Sequence, residues 1–217
     1  MKRREFSRLS MQLAAASGLA AAVGRVHAQG APVEGRDYVR LGTPAPVTLP
    51  SPEKKVEVVE FFWYGCPHCY AFEPLLESWA KRLPADVAFR QVPMGVMAPH
   101  QTHQKLYYAL EDIGALPALH RRVFNALHQE RRRLGSEKEI TEFVAANGVD
   151  AAKFGAAFKS FSVATKANRA KQLSDAYMID GVPAMGIHGR FYTSASLSGS
   201  HERALAVADF LIQRARG

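Results

Sequence analysis

The sequence predicts an α/β protein: a small sheet domain interrupted by a block of helices. Three observations predict it. "VEVVEFFWY", Val56 to Tyr64, is a nearly continuous apolar run rich in β-branched and aromatic residues, as a central strand buried on both faces requires. Strand-like and helix-like segments alternate on either side of a middle section. That middle section, residues 98–176, carries helical periodicity only.

The elements follow in order. Gly30 to Pro52 holds Pro32, Pro44, Pro46, Pro50 and Pro52 and reads as extended chain, with "YVRL", Tyr38 to Leu41, as an edge strand. After the central strand a helix is expected from Cys66 to about Leu83, then a strand over "DVAFRQVPM". Pro74 falls inside that helix, as a kink or as an early end at Glu73. Four helices are expected next: His100–Ile113, Pro117–Gln129 with a proline suited to a first turn, a third capped by Ser136, and a longer fourth. Ser136 with Glu139 three residues on makes a capping box, and Gly148 ends that helix. The fourth opens at Asp150 and places Phe154, Phe158 and Phe161 on one face. "GVPAMGIHGRFYTS" then reads as a hairpin turning at His188-Gly189, and "SHERALAVADFLIQRARG" as a closing amphipathic helix.

Residues 1–28 are set apart. A basic "MKRREFSR" precedes an 11-residue Ala-rich segment, Leu13 to Val23, too short to span a bilayer. Val26-His27-Ala28 supplies a small-residue cleavage site, so the mature chain is expected to begin at Gln29 after export to an oxidising compartment. Arg3-Arg4 before Glu5-Phe6 also resembles a twin-arginine signal, and the export route stays open. The full chain has a net charge of +8. Removing Lys2, Arg3, Arg4, Arg8, Arg25 and Glu5 leaves 23 basic against 19 acidic residues, a mild +4. The basic run "ERRRLG" at Glu130 has no interleaved aromatic, so it reads as a solvated turn and no nucleic-acid partner is expected.

The chain has two cysteines, Cys66 and Cys69, in "YGCPHCY". A chain of 217 residues buries enough core to need no staple. A bridge closing so short a loop also removes little chain entropy, which argues against bracing. A metal role has a specific rival form, in which His100 and His103 join the cysteines as a Cys₂His₂ zinc site. Redox chemistry has the electrostatics on its side. Gly65 permits a tight turn, Pro67 suits the first helical position, and Cys66 then stands at a helix N-terminus with Cys69 one turn on. Helix N–H groups and a neighbouring His68 both favour a thiolate at Cys66. Each unit of pKa depression corresponds to roughly 30 mV toward a more oxidising couple.

"FFWYGCPHCYAFEP" together with "GVPAM" resembles the DsbA family of periplasmic thiol:disulfide oxidoreductases of Gram-negative bacteria, over nearly all of the mature chain. Members of that family are a standard case of a low-pKa cysteine and an oxidising couple, so the oxidising direction rests on the family as well as on electrostatics. The resemblance implies a thioredoxin fold with a helical domain inserted between its halves: residues 29–97 and 177–217 thioredoxin-like, 98–176 the insert. It implies Cys66 as the exposed nucleophile, Cys69 as the buried partner that resolves the mixed disulfide, and Val182-Pro183 as a cis-proline loop. The backbone of Val182 would pair with an extended substrate. Glu60 resembles the acid beneath the disulfide that relays the Cys69 proton; the bland alternative turns it to solvent. Arg90 is one candidate partner for it. Glu73, seven residues after Cys66, either tunes the pair or sits on a solvated face. Among Met94, Met97, Met178 and Met185, Met185 is the candidate for lining a peptide groove.

The function implied is donation of the Cys66–Cys69 disulfide to unfolded, newly exported proteins in the periplasm, by a monomer. No cofactor beyond the disulfide is expected, and reoxidation falls to a quinone-linked membrane partner resembling DsbB. A reductase or isomerase of the same fold is the alternative, and a zinc or redox-silent binding module the second. An isomerase is expected to carry an extra N-terminal dimerisation domain, for which Gly30 to Pro52 is too short and too proline-rich.

Overall fold

The apolar run forms strand β2 (Val56–Phe62), every residue of which is buried. The computed structural model describes residues 30–216, of which residues 32–216 belong to one compact unit. The export signal and the start at Gln29 lie outside the described residues. β2 pairs in parallel with β3 (Val87–Pro93) and antiparallel with β4 (Ala184–Ile187). β5 (Phe191–Ser194) continues the sheet antiparallel to β4, and the short edge strand β1 (Val39–Arg40) pairs antiparallel with β5. The order is β1-β5-β4-β2-β3. The hairpin turns at His188 and Gly189, both with positive φ. A Cβ on Gly189 would meet the Ala45 carbonyl oxygen at 2.2 Å, so the position has no room for a side chain.

Two helices cover one sheet face, α1 (Pro67–Ala80) and α8 (His201–Arg216). Val56 and Val58 point into that layer and pack with Phe72, Leu76, Leu205 and Leu211. Trp79 Nε1–H donates to Asp209 Oδ1 at 2.8 Å and ties the two helices together. A short α7 (Ala195–Ser198), which no pattern announces, links β5 to α8.

Residues 98–176 hold five helices and not four: α2 (Ala98–Asp112), α3 (Leu116–His128), α4 (Glu137–Ala146), α5 (Ala151–Phe158) and α6 (Phe161–Ala176). The capping box is present, with Ser136 and Glu139 satisfying each other's backbone N–H. The expected long fourth helix breaks because Ser160 starts a new one, its Oγ accepting from Val163 N–H at 3.1 Å. Phe154 and Phe158 are buried as expected, whereas Phe161 moves to the first turn of α6 and is 87% exposed. On the insert side of β2, Val59 and Phe61 join a core with Leu106, Leu110, Phe124 and Tyr177. Phe62 lies against Tyr107, His120 and Phe124 at 5.5, 5.5 and 5.9 Å between ring centres. A buried aromatic contributes roughly 1.5–3 kcal/mol, so these contacts weld the insert to the end of the central strand.

Candidate active site

β2 ends where the cysteines begin. Gly65 lies under the Trp63 ring, where a Cβ would come within 2.4 Å of ring carbon, and Cys66 N–H donates back to the Trp63 carbonyl at 3.0 Å. Cys66 is the N-cap of α1 and Pro67 its first residue. The helix runs through Pro74 to Ala80 instead of ending at Glu73. Pro67 and His68 are exposed. Both cysteines are free thiols.

The two sulfurs differ in environment. Cys69 is wholly buried and Cys66 is 8% exposed, so the expected contrast of exposed and buried cysteine is much narrower than the resemblance implies. On the neighbouring loop the Val182 carbonyl oxygen lies 3.4 Å from Cys66 Sγ. The Val182–Pro183 bond is cis. Cys69 N–H approaches Cys66 Sγ at 3.4 Å. The Cys66 thiol is pulled down from 9.0 to about 6, chiefly by a hydrogen bond from the Cys69 thiol, then by the N–H groups of Cys69 and His68 and the charge of His68, against the opposing effect of burial. Cys69 is pushed far up, by burial first and then by the bond it donates to Cys66. One sulfur is an anion at neutral pH and the other holds its proton.

Beneath the pair lies a buried acidic group. Glu60 on β2 stands in register with Gln91 on β3 and Met185 on β4, so all three face α1. Gln91 Nε2 donates to Glu60 Oε2 at 2.8 Å and to Glu73 Oε2 at 3.2 Å. Glu60 Oε1 is buried without a hydrogen-bond partner. Burial, then the charge of Glu73, raises Glu60 well above the carboxylate range, partly offset by the Gln91 bond. Glu60 therefore does not turn to solvent. Its partner is Gln91; Arg90, one residue along and on the other face, pairs with Glu57 at 2.9 Å. Glu73 is buried as well, and its Oε1 accepts from His120 Nε2 at 3.1 Å.

Met185 is a correction. It is 1% exposed and packs between sheet and helices, because an inward position on a central strand faces the core; it lines no groove. Among the described residues Met97 and Met178 are the exposed methionines, and Met94 is buried. The zinc arrangement also fails on geometry. His103 accepts from Trp63 Nε1–H at Nδ1 (3.0 Å), and its Nε2 faces the Leu134 carbonyl (3.1 Å), so both nitrogens are engaged. His100 lies over the Trp63 ring at 4.1 Å. Among the described residues no group of three or more His, Cys, Asp or Glu side chains is arranged to hold a metal ion.

Sequence reasoning misses Tyr64, Gln91, His120 and His128. Tyr64 Oη meets His120 Nδ1 at 2.7 Å, and its carbonyl accepts from His128 Nε2 at 2.8 Å. His128 in turn stacks on Tyr70, with ring centres 4.7 Å apart. Only Gln91 left a trace in the sequence, through strand parity, and that required a register no pattern supplies.

Over residues 57–204 the chain matches the DSBA-like thioredoxin domain family. It is 45% identical over 209 residues to a thiol:disulfide interchange protein DsbA of Bordetella parapertussis, covering 94% of this chain and 96% of that one. It is 43% identical over 182 residues to a protein of the same name from Azotobacter vinelandii, covering 84% of each. A crystal structure of Pseudomonas aeruginosa DsbA superposes with a TM-score of 0.79 at 40% identity, over 84% of this chain and 93% of that one. The expected thioredoxin fold is thereby established. A match that takes in the sheet, the helical block and both cysteines together leads to one conclusion: the chain belongs to the DSBA-like thioredoxin domain family and is a thiol:disulfide oxidoreductase.

Proposed function

We propose that the chain oxidises pairs of thiols in newly exported, unfolded proteins, using a Cys66–Cys69 disulfide as the oxidant. The observation that carries this is the unequal pair: a Cys66 thiol drawn down to about 6 beside a Cys69 thiol pushed up. A substrate thiolate attacks Cys66 Sγ, and the bond to Cys69 breaks. Cys69 leaves as a thiolate and takes a proton from Glu60. A second substrate thiolate then attacks the substrate sulfur of the mixed disulfide, and Cys66 departs as a stable anion. Two electrons pass from substrate to enzyme, and the substrate keeps a new disulfide. The better the departing anion is stabilised, the stronger the oxidant.

The remaining assignments belong to the same reading. Pro67 starts the helix, and His68 adds an N–H group and charge beside Cys66. Pro183 shapes the loop facing Cys66, and Val182 offers backbone to an extended substrate; the 3.4 Å approach of Cys66 Sγ to the Val182 carbonyl supports that placing. We read residues 29–97 and 177–217 as the thioredoxin-like domain and 98–176 as the inserted helical domain. The leader-like residues 1–28 support a periplasmic site of action. The redox-active disulfide is the working group, reoxidation falls to a quinone-linked membrane partner resembling DsbB, and the protein acts as a monomer.

The deciding measurement is the reduction potential of Cys66–Cys69 in the mature chain, equilibrated against glutathione, alongside oxidation of a reduced dithiol peptide. A potential well above that of thioredoxin and rapid peptide oxidation are expected. A thioredoxin-like potential of about −270 mV would make the chain a reductase.

A further inference from the structure

His120 carries the insert to the buried acids by a direct hydrogen bond. His120 of α3 stands between Tyr64 Oη (2.7 Å from Nδ1) and Glu73 Oε1 (3.1 Å from Nε2). Tyr64 is wholly buried and its phenol is pushed well above its ordinary range, by burial first, so it stays neutral and has a proton to donate. A carboxylate at Glu73 accepts, so the Nε2–H tautomer of His120 faces it and leaves Nδ1 to take the Tyr64 O–H. Tyr64 O–H donates to Nδ1, Nε2–H donates to Glu73, and the amide of Gln91 donates to Glu73 on one side and Glu60 on the other. Glu73 thus collects two donors. Glu60 has one, and its free oxygen, Oε1, is buried without a partner.

We infer that His120 is a positioning residue of the redox centre: it holds the negative charge on Glu73 and thereby keeps the proton of the acid pair on Glu60, where Cys69 needs it. The inference rests on the proton-donor reading of Glu60. Two carboxylates bridged by one amide do not both ionise at low cost in a buried site. The acid with more donors carries the charge, and the other keeps the proton. His120 supplies the difference. Glu73 also borders an open cleft of about 320 Å³, lined in addition by Gln91, Glu77 and Lys81. The other groups around His120 are consistent with this role. Phe62, Tyr107 and Phe124 contribute ring edges, and Glu77, whose carboxylate feels the histidine, is already paired with Lys81 and Arg121.

The test follows the carboxyl carbons of Glu60 and Glu73 by pH titration in ¹³C NMR of the reduced protein, assigned with Glu60→Gln and Glu73→Gln. In His120→Phe the Glu60 midpoint is expected to fall by about one pH unit, and peptide oxidation at neutral pH to slow about tenfold. His120→Gln, whose amide can still donate to Glu73, should restore the Glu60 midpoint and the rate. In a Glu73→Gln background, His120→Phe should add nothing. An unmoved Glu60 midpoint in His120→Phe overturns the inference. If that variant does not fold, Glu73→Gln decides, because removing the charge must lower the Glu60 midpoint too, and an unchanged value overturns it equally. Failure of the underlying reading has a separate signature: Glu60→Gln that oxidises peptide at the wild-type rate removes Glu60 from the chemistry whatever the titrations show.

Discussion

Cys69 stabilises the anion of Cys66 twice, through its thiol and through its backbone N–H, which lies 3.4 Å from Cys66 Sγ. The helix makes this possible, since an N-cap side chain faces the amide three residues on. A hydrogen bond to a charged group contributes about 1.5–3 kcal/mol, or roughly one to two pKa units. Cys69→Ala should therefore raise the Cys66 thiol by at least about one unit above its value near 6, whereas Cys69→Ser, which keeps a hydroxyl donor, should raise it less. The ultraviolet absorbance of the thiolate against pH reads both directly. Equal titrations of the two variants would refute the ordering of causes.

Stability of the reduced protein should depend on pH in a defined sense. The Cys66 thiol titrates near 9.0 when unperturbed and near 6 in the folded chain. A depressed value contributes stability that is complete above the unfolded value and lost as pH falls through the folded one. Between about 6 and 9 the gain approaches 1.4 kcal/mol per pH unit. The oxidised protein has no Cys66 thiol to titrate and so lacks this contribution. Urea midpoints at pH 5, 7 and 9 should show the reduced form gaining on the oxidised form as pH rises; parallel curves would contradict this.

His68 acts on Cys66 through its backbone N–H and its charge. The two can be separated. His68→Leu keeps the N–H and loses the charge; His68→Pro loses both. Both should raise the Cys66 thiol and make the couple more reducing, the proline variant more strongly, by roughly 30 mV for each pKa unit. Redox equilibration with glutathione measures the order, and a leucine variant as reducing as the proline variant would show that the N–H contributes nothing.

A cap far from the sulfurs serves as a contrast. Ser136 Oγ accepts from Glu139 N–H at 3.3 Å in the insert. Ser136→Ala should cost about 1 kcal/mol of stability and leave the reduction potential where it was. Chemical denaturation gives the first quantity and glutathione equilibrium the second. A shifted potential would show that α4 communicates with the redox centre.

Gly186 on β4 lies under the Tyr177 ring, where an added Cβ would fall 2.6 Å from ring carbon. Gly186→Ala should destabilise the fold by about 1–3 kcal/mol, because Tyr177 is pinned by its hydroxyl to Gly189 N–H at 2.7 Å and cannot yield freely. A wild-type denaturation midpoint would mean that the ring does move.

Local chemistry made much of this protein legible before any coordinates. The run at Val56 reads as a central strand, Pro67 after Gly65 as the tight opening of a helix, and Ser136 with Glu139 as the start of another. The thiolate at position 66 follows from the same local rules, because the helix tip, its amides and His68 lie within a few residues of the sulfur. What lay beyond the sequence was everything decided by register and by packing between distant segments. Glu60 meets Gln91 and not Arg90 because parallel pairing sets which side chains share a face, and a slip of one residue would exchange them. Met185 is core and Phe161 is solvent for the same kind of reason: one sits under two helices, the other where a serine restarts a helix. His120 joins the redox centre from 51 positions after Cys69 in no motif at all, since only the folding of the insert over the end of β2 brings its ring to Tyr64 and Glu73.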